Sequence, residues 1–271
     1  MKRIIKPSYC IDTFDSSDES KYLDSKRSSF ILKKKLRGLA GNRKLGVLWL
    51  ALDPILTSLV YLFVFTVIRS NPNAEIMFIG ITLFRIFNAS LKSGINSVKD
   101  FSGGIKSERV RTRALMNATI QFRLIDSFLQ SFGVGIILLV IFEIDTLGVI
   151  IFLIISQILG IISEGFGMNI SLLVRKIPDL SNLINNFLLL MFFGSPALYS
   201  MNNTEGLHRK INEYNPFTYF VEYARHFAGL DTAKDYLNNN ILILLMILIT
   251  ILSIRGFYSM DKLRWEVSAW S

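Results

Sequence analysis

Apolar and polar residues alternate along this chain in blocks. Six stretches run nearly free of charge, at about 47–68, 76–98, 124–142, 147–173, 180–198 and 241–257. Each approaches or exceeds the ~17–25 residues a helix needs to cross the hydrocarbon of a bilayer. Lipid offers the backbone no hydrogen-bond partner, so such segments close their own bonds as helices. The pattern predicts an all-α integral membrane protein with six transmembrane helices. The second, third and sixth are the weakest of the set, being short or partly polar.

The first 46 residues are polar and basic instead. No apolar run follows Met1, Lys2 and Arg3, so no cleavable signal peptide is expected. Residues 1–29 form a polar extension, flexible over DTFDSSDESKYLDSKRSS at 12–29. From Phe30 a helical period sets in. Leu32, Leu36 and Leu39 share a face, with Lys33, Lys34, Lys35 and Arg37 between them. This predicts a helix over 30–43 that either lies on the lipid surface or is an ordinary solvated helix.

Half of the residues (51%) are hydrophobic and only 19% are charged, against ~25% charge in a soluble domain. The net charge is +9. In a membrane chain that excess marks the cytoplasmic side rather than nucleic-acid binding. Twenty-three Lys and Arg fall on the side that holds both termini and five on the other, with Arg85 and Lys92 inside the second stretch. Both termini are therefore expected in the cytoplasm. Cys10 is the one cysteine, and His208 and His226 are the two histidines. A disulfide framework and a multi-cysteine zinc site are thereby excluded, and no His-rich metal centre is expected.

The external connection, 199–240, contains a helix signal. Asn215 suits an N-cap, Pro216 the first helical position and Gly229 the C-terminal end. Phe217, Phe220, Val221, Ala224 and Phe227 give that helix one apolar face. At about 20 Å it is too short to span, so it is expected to dip into the outer leaflet or lie along it.

Arg85, Asn88, Lys92, Asn96 and Lys99 stand three, four, four and three residues apart, on one helix face. A cation at the bilayer centre costs roughly 2.5–3.5 kcal/mol on insertion scales, so two facing lipid would threaten insertion. The stripe must face a wet cavity or acidic partners. It lines a conduit, or else Arg85 snorkels outward while Lys92 pairs with an acid such as Glu164 or Asp126. Ser163, Gly167 and Ser171 recur every four residues, a register that lets membrane helices approach closely. Glu164 beside them is a cation's partner or part of a polar lining.

The basic connection 102–121 is helix-compatible after Gly103-Gly104, with Lys106, Arg109 and Arg113 on one face. It reads as a solvated loop or as a docking helix for a cytoplasmic subunit. No G-x-x-x-x-G-K-[ST], G-x-G-x-x-G, H-E-x-x-H or G-x-S-x-G motif is present. The chain has no recognisable means of binding ATP, no cofactor is expected in it, and no spacing supports an enzyme site.

At Leu45-Gly46-Val47-Leu48-Trp49, followed by Asp53-Pro54, the chain resembles the start of ABC-2 type permeases that export polysaccharides. These are the membrane subunits of capsule, O-antigen and teichoic-acid exporters. Gly80-Ile81-Thr82-Leu83-Phe84, Ser195-Pro196 and Tyr214-Asn215-Pro216-Phe217-Thr218 fall at further family positions. The likeness runs from about residue 30 to the end. It implies one ABC-2 transmembrane domain over 30–271, with an interface helix at 30–43. It also implies a coupling helix at 105–118, carrying Lys106, Glu108, Arg109 and Arg113, seated in a cleft of an ATPase subunit. Residues 216–228 become an external re-entrant gate helix.

The resemblance further implies a second copy of the chain and two ATP-binding-cassette subunits, which hold the ATP and Mg2+. A sugar path would run between the two permeases, with membrane lipids around them and no nucleic acid. Aromatic rings stack on sugar faces, so Trp49, Phe84, Phe87, Tyr199, Phe217, Tyr219 and Tyr223 are candidate liners beside Arg85, Asn88, Lys92 and Asn96. The implied function is export of a lipid-linked polysaccharide across the cytoplasmic membrane of a bacterium or archaeon. An ABC-2 exporter of drugs or small lipids is the nearest alternative, then a self-contained channel or a membrane transferase. The stripe of Arg85 and Lys92 is heavier than the family's habit, which suits an anionic glycan or a phosphate-linked lipid carrier.

Overall fold

The computed structural model describes residues 2–6, 9–13, 18–40, 46–68, 73–108, 112–230 and 240–262. A short antiparallel hairpin opens the chain, β1 (Lys2–Lys6) against β2 (Tyr9–Thr13), with Ile4 opposite Ile11. Helices follow: α1 (Asp18–Ala40), α2 (Trp49–Ile68), α3 (Ala74–Glu108), α4 (Thr112–Val140) and α5 (Thr146–Lys176). Then come α6 (Leu180–Gly194), α7 (Gly206–Glu213), α8 (Pro216–Phe227) and α9 (Asn240–Lys262). Among the described residues four helices are long and apolar enough to cross a membrane, over 74–100, 113–140, 146–176 and 243–260. Two apolar helices are shorter, Ala51–Val64 and Leu180–Gly194. All six fall on the apolar stretches of the sequence.

Three boundaries differ from the sequence pattern. α1 starts at Asp18, within the run read as flexible. Local pairs support that first half: Arg27 reaches Asp24 at 4.0 Å, and the Lys26 ammonium lies 4.4 Å over the Tyr22 ring. The expected 105–118 helix is divided, because α3 continues through Gly103-Gly104 to Glu108 and α4 begins at Thr112. Two helical glycines cost ~1 kcal/mol each relative to alanine, and extending a helix already formed outweighs that. The third apolar helix likewise starts well before residue 124. Ala114, Leu115, Ala118 and Thr119 are buried, so packing carries its first turns.

α3 is the central element, and its longest partner is α5. A Cβ built on Gly94 would lie 2.9 Å from the Gly167 Cα, so only glycines allow this crossing. Ser163, Gly167 and Ser171 are buried along that side of α5, as their register predicts. α5 meets α9 the same way, at Gly165 and Gly256. The main core gathers Phe84, Phe152, Phe192, Phe217 and Phe220 between α3, α5, α6 and α8.

Candidate functional site: a charged cleft within the membrane span

A cleft of about 460 Å³ opens between α2, α3 and α4, lined chiefly by Asp53, Arg85, Asn88, Lys92, Arg123 and Asp126. α3 supplies Arg85, Asn88 and Lys92 from one face, because three- and four-residue spacings fall in line along a helix. Arg85 Nη2 donates to Asp53 Oδ2 at 2.9 Å, and Nη1 to Thr57 Oγ1 at 2.8 Å. Arg85 therefore pairs across to α2 rather than snorkelling outward.

Arg123 forms the inner wall. Its Nε donates to Glu164 Oε2 at 2.8 Å, and its Nη1 to Asp126. Both carboxylates are buried, and each has a second donor: Ser93 Oγ to Glu164 at 2.8 Å, and Gln130 Nε2 to Asp126 at 3.1 Å. Burying these charges is tolerable only because every carboxylate oxygen finds a donor. Glu164 is thus a cation's partner, but the cation is Arg123. The alternative pairing of Lys92 with Glu164 or Asp126 does not occur. Among the described residues Lys92 has no ion-pair or hydrogen-bond partner. α1 joins the cluster through Lys35, whose Nζ donates to Thr119 Oγ1 at 2.9 Å. Burial pulls the Lys35 pKa down, and Glu164 opposes that shift.

A second polar knot lies at the other end of α3. Asn215 caps α8 by accepting from Phe217 N–H at 3.1 Å, with Pro216 in the first turn. Gly229, with φ of +73°, follows its C-cap. Arg225 on α8 is fully buried. Its Nη1 donates to Glu222 Oε1 and to the Tyr199 carbonyl, both at 3.0 Å, and its Nη2 to the Ile76 carbonyl at 2.8 Å. One guanidinium thereby ties α8 to the start of α3 and to the 195–199 turn. Beside it the Gly194 carbonyl accepts from Tyr199 Oη at 2.6 Å, Asn212 Nδ2 at 2.9 Å and His208 Nε2 at 3.0 Å. Burial pushes the Tyr199 phenol up to about 12.

Residues 28–227 match the family model described as ABC-2 type transporter. The chain belongs to the ABC-2 type transporter family. Over 183 residues it is 26% identical to the O-antigen export system permease protein RfbA of Myxococcus xanthus, an overlap of 65% of this chain and 68% of that protein. Membership makes it a multi-pass membrane protein and a transport permease subunit, and implies association with an ATP-binding subunit. The cleft and the Arg225 knot both lie inside the matched ABC-2 region.

Within this ABC-2 chain the residues singled out by sequence fall into separate groups. Arg85, Asn88 and Lys92 meet in the cleft, while Asn96 on the same face is exposed. Phe84, Phe87 and Phe217 pack together instead, with ring centroids 5.3–5.9 Å apart. Tyr219 is buried and stacks on the more exposed Tyr223 at 5.8 Å. Trp49 stands at the start of α2. Lys106 and Glu108 fall in the last turns of α3 and Arg113 in the first turn of α4, while Arg109 and the tail after Lys262 lie outside the described residues. Reading the sequence missed Arg123 as a site residue by placing it in the cytoplasmic connection. Its signal was there: Asp126 stands three residues on, at a spacing that places the two on one helix face.

Proposed function

We propose that this permease exports a lipid-linked polysaccharide across the cytoplasmic membrane, as a homodimer driven by two ATP-binding-cassette subunits. Both termini are cytoplasmic, six helices span, and the helix after Asn215-Pro216 belongs to the external gate. ATP and Mg2+ belong to the partner subunits. The observation that carries the substrate is the likeness to a protein named as an O-antigen export permease, over 65% of this chain. The charged cleft supports it, since a polar headgroup crossing hydrocarbon needs a polar surface at mid-depth.

The ends of α3 and α4 near Lys106, Glu108, Arg109 and Arg113 form the docking region for the ATPase in this reading. Nucleotide binding there biases two arrangements of the permease pair. The test is purification of the tagged permease from its native membrane in mild detergent, with mass spectrometry of what accompanies it. A near-stoichiometric ATP-binding-cassette subunit supports the reading. A second arm follows glycan in a deletion strain. Intracellular glycan accumulates if the cargo is a polysaccharide, and stays at wild-type level if the cargo is a drug or small lipid. A protein that purifies alone and conducts ions without an ATPase is a channel, and the proposal fails.

A further inference from the structure

We infer that the cleft between α2, α3 and α4 is a binding site for a lipid phosphate, with Lys92 as its anion-binding residue. The inference deepens the proposed function by placing one part of the cargo on named side chains. It rests on depth, charge and unmet hydrogen bonding.

Lys92 stands five residues from the middle of the 74–100 span. At 1.5 Å per residue that is ~7–8 Å from the centre, inside a hydrocarbon half-thickness of ~15 Å. A resident surface lipid keeps its phosphate outside that depth. With the 74–100 helix centred in the bilayer, a phosphate that reaches Lys92 lies inside the span rather than at the interface.

The charges leave one cation over. Arg85 is matched by Asp53, Arg123 and Lys35 together face Asp126 and Glu164, and Asp100, which also faces Lys35, is shared with Lys99. Lys92 remains, half-buried and unpartnered among the described residues. Such a charge calls for a monoanion, and a lipid phosphate is the anion that a membrane delivers to this depth. Arg85 Nε and Asn88 Oδ1, both buried on the same face, also have no hydrogen-bond partner among the described residues. The Arg85 N–H is a second donor for phosphate oxygen, and the Asn88 oxygen suits a hydroxyl of the attached group.

The experiment measures lipid binding to the purified full-length permease, with any subunit that accompanies it, by native mass spectrometry. The probes are decaprenyl phosphate, decaprenol of the same chain length, and phosphatidylglycerol. Decaprenyl phosphate should bind about tenfold or more tightly than decaprenol, the step expected for one charge-assisted hydrogen bond. Lys92→Gln should abolish that difference, and Lys92→Arg should keep it. If phosphatidylglycerol binds as tightly as decaprenyl phosphate and is equally sensitive to Lys92→Gln, the phosphate site stands and its occupant is ordinary phospholipid. Equal binding of decaprenol, or undiminished binding by Lys92→Gln, overturns the inference. So does a Lys92→Gln chain that fails to fold, because Lys92 would then hold the fold rather than a ligand. None of these readouts uses transport or ATP, so the site and the export reading can fail separately.

Discussion

Gly80 and Arg225 compete for one space: a Cβ built on Gly80 would lie 2.7 Å from Arg225 Nη2 and overlap the Ala197 carbonyl. Gly80 lies in the first half of α3, and the guanidinium lies across it to reach the Ile76 carbonyl. Gly80→Ala should push Arg225 off that carbonyl and cost ~1–3 kcal/mol, as overpacking of a filled core does. Gly38→Ala is the matched control, because nothing lies within 4 Å of a Cβ there. It should be neutral or slightly stabilising, since alanine is the better helix former. Thermal denaturation in detergent compares the two, and equal melting temperatures would falsify the placement of Arg225.

Asn215 is the next point where one side chain sets a helix. Its Oδ1 accepts from Phe217 N–H, satisfying one of the donors left open at the start of α8. Asn215→Ala should cost ~1 kcal/mol, while Asn215→Asp and Asn215→Ser should be close to wild type. Hydrogen exchange over residues 216–227 reads the effect directly, as faster exchange confined to that helix. Uniform acceleration across all helices would show that the cap holds more than α8.

The asymmetry between α8 and α3 shows what the sequence could carry. The start of α8 was readable because Asn215, Pro216 and Gly229 act locally, each through its own backbone. The six apolar helices were readable for a similar reason, since length and apolar content are properties of a segment. The end of α3 was not. Gly103-Gly104 signals a break locally, and only the helix already formed around α5 overrides it. Nor were the partners of Arg85, Lys92 and Arg123. A face can be read from spacing, but which of several acids meets which cation depends on how far apart α2, α4 and α5 stand. Part of that arrangement, the approach of α5 to α3, is set by Gly94 against Gly167, a contact between residues 73 apart in the chain.

Tyr199 makes the stability of the outer knot depend on pH. Its phenol is raised from 10.0 to about 12, mainly by burial, with Asn212 and Arg225 opposing. The folded state therefore keeps the proton while an unfolded chain releases it near 10. The contribution is fully present below pH 10 and is lost as pH rises towards about 12. Tyr219 shifts the same way, also to about 12. Tyr199→Phe should remove part of the fall in melting temperature over that window and leave the part due to Tyr219. It should also cost ~1 kcal/mol at neutral pH, because the Gly194 carbonyl loses a donor. An unchanged slope above pH 10 would mean that the phenol is solvated in the folded protein.

Arg123 is the residue on which the cleft's wall depends. Arg123→Met would leave Asp126 and Glu164 buried with only Gln130 and Ser93 as donors. Removing one partner of a buried ion pair costs ~3–5 kcal/mol, more than the pair contributes, because an uncompensated charge stays behind. The single variant should therefore fail to reach the membrane in quantity, or melt far below wild type in detergent. Neutralising the acids in the same chain should recover most of that loss. Arg123→Met with Glu164→Gln and Asp126→Asn removes the stranded charges, and glutamine and asparagine still accept from Ser93 and Gln130. The coupling between the single and combined variants measures the network itself. A combined variant as unstable as Arg123→Met alone would show that Arg123 acts through packing. Recovery of folding would show that charge balance holds α3, α4 and α5 together here. That variant would also leave Lys92 untouched, so its lipid-phosphate binding separates the cation that holds the wall from the cation that faces the cleft.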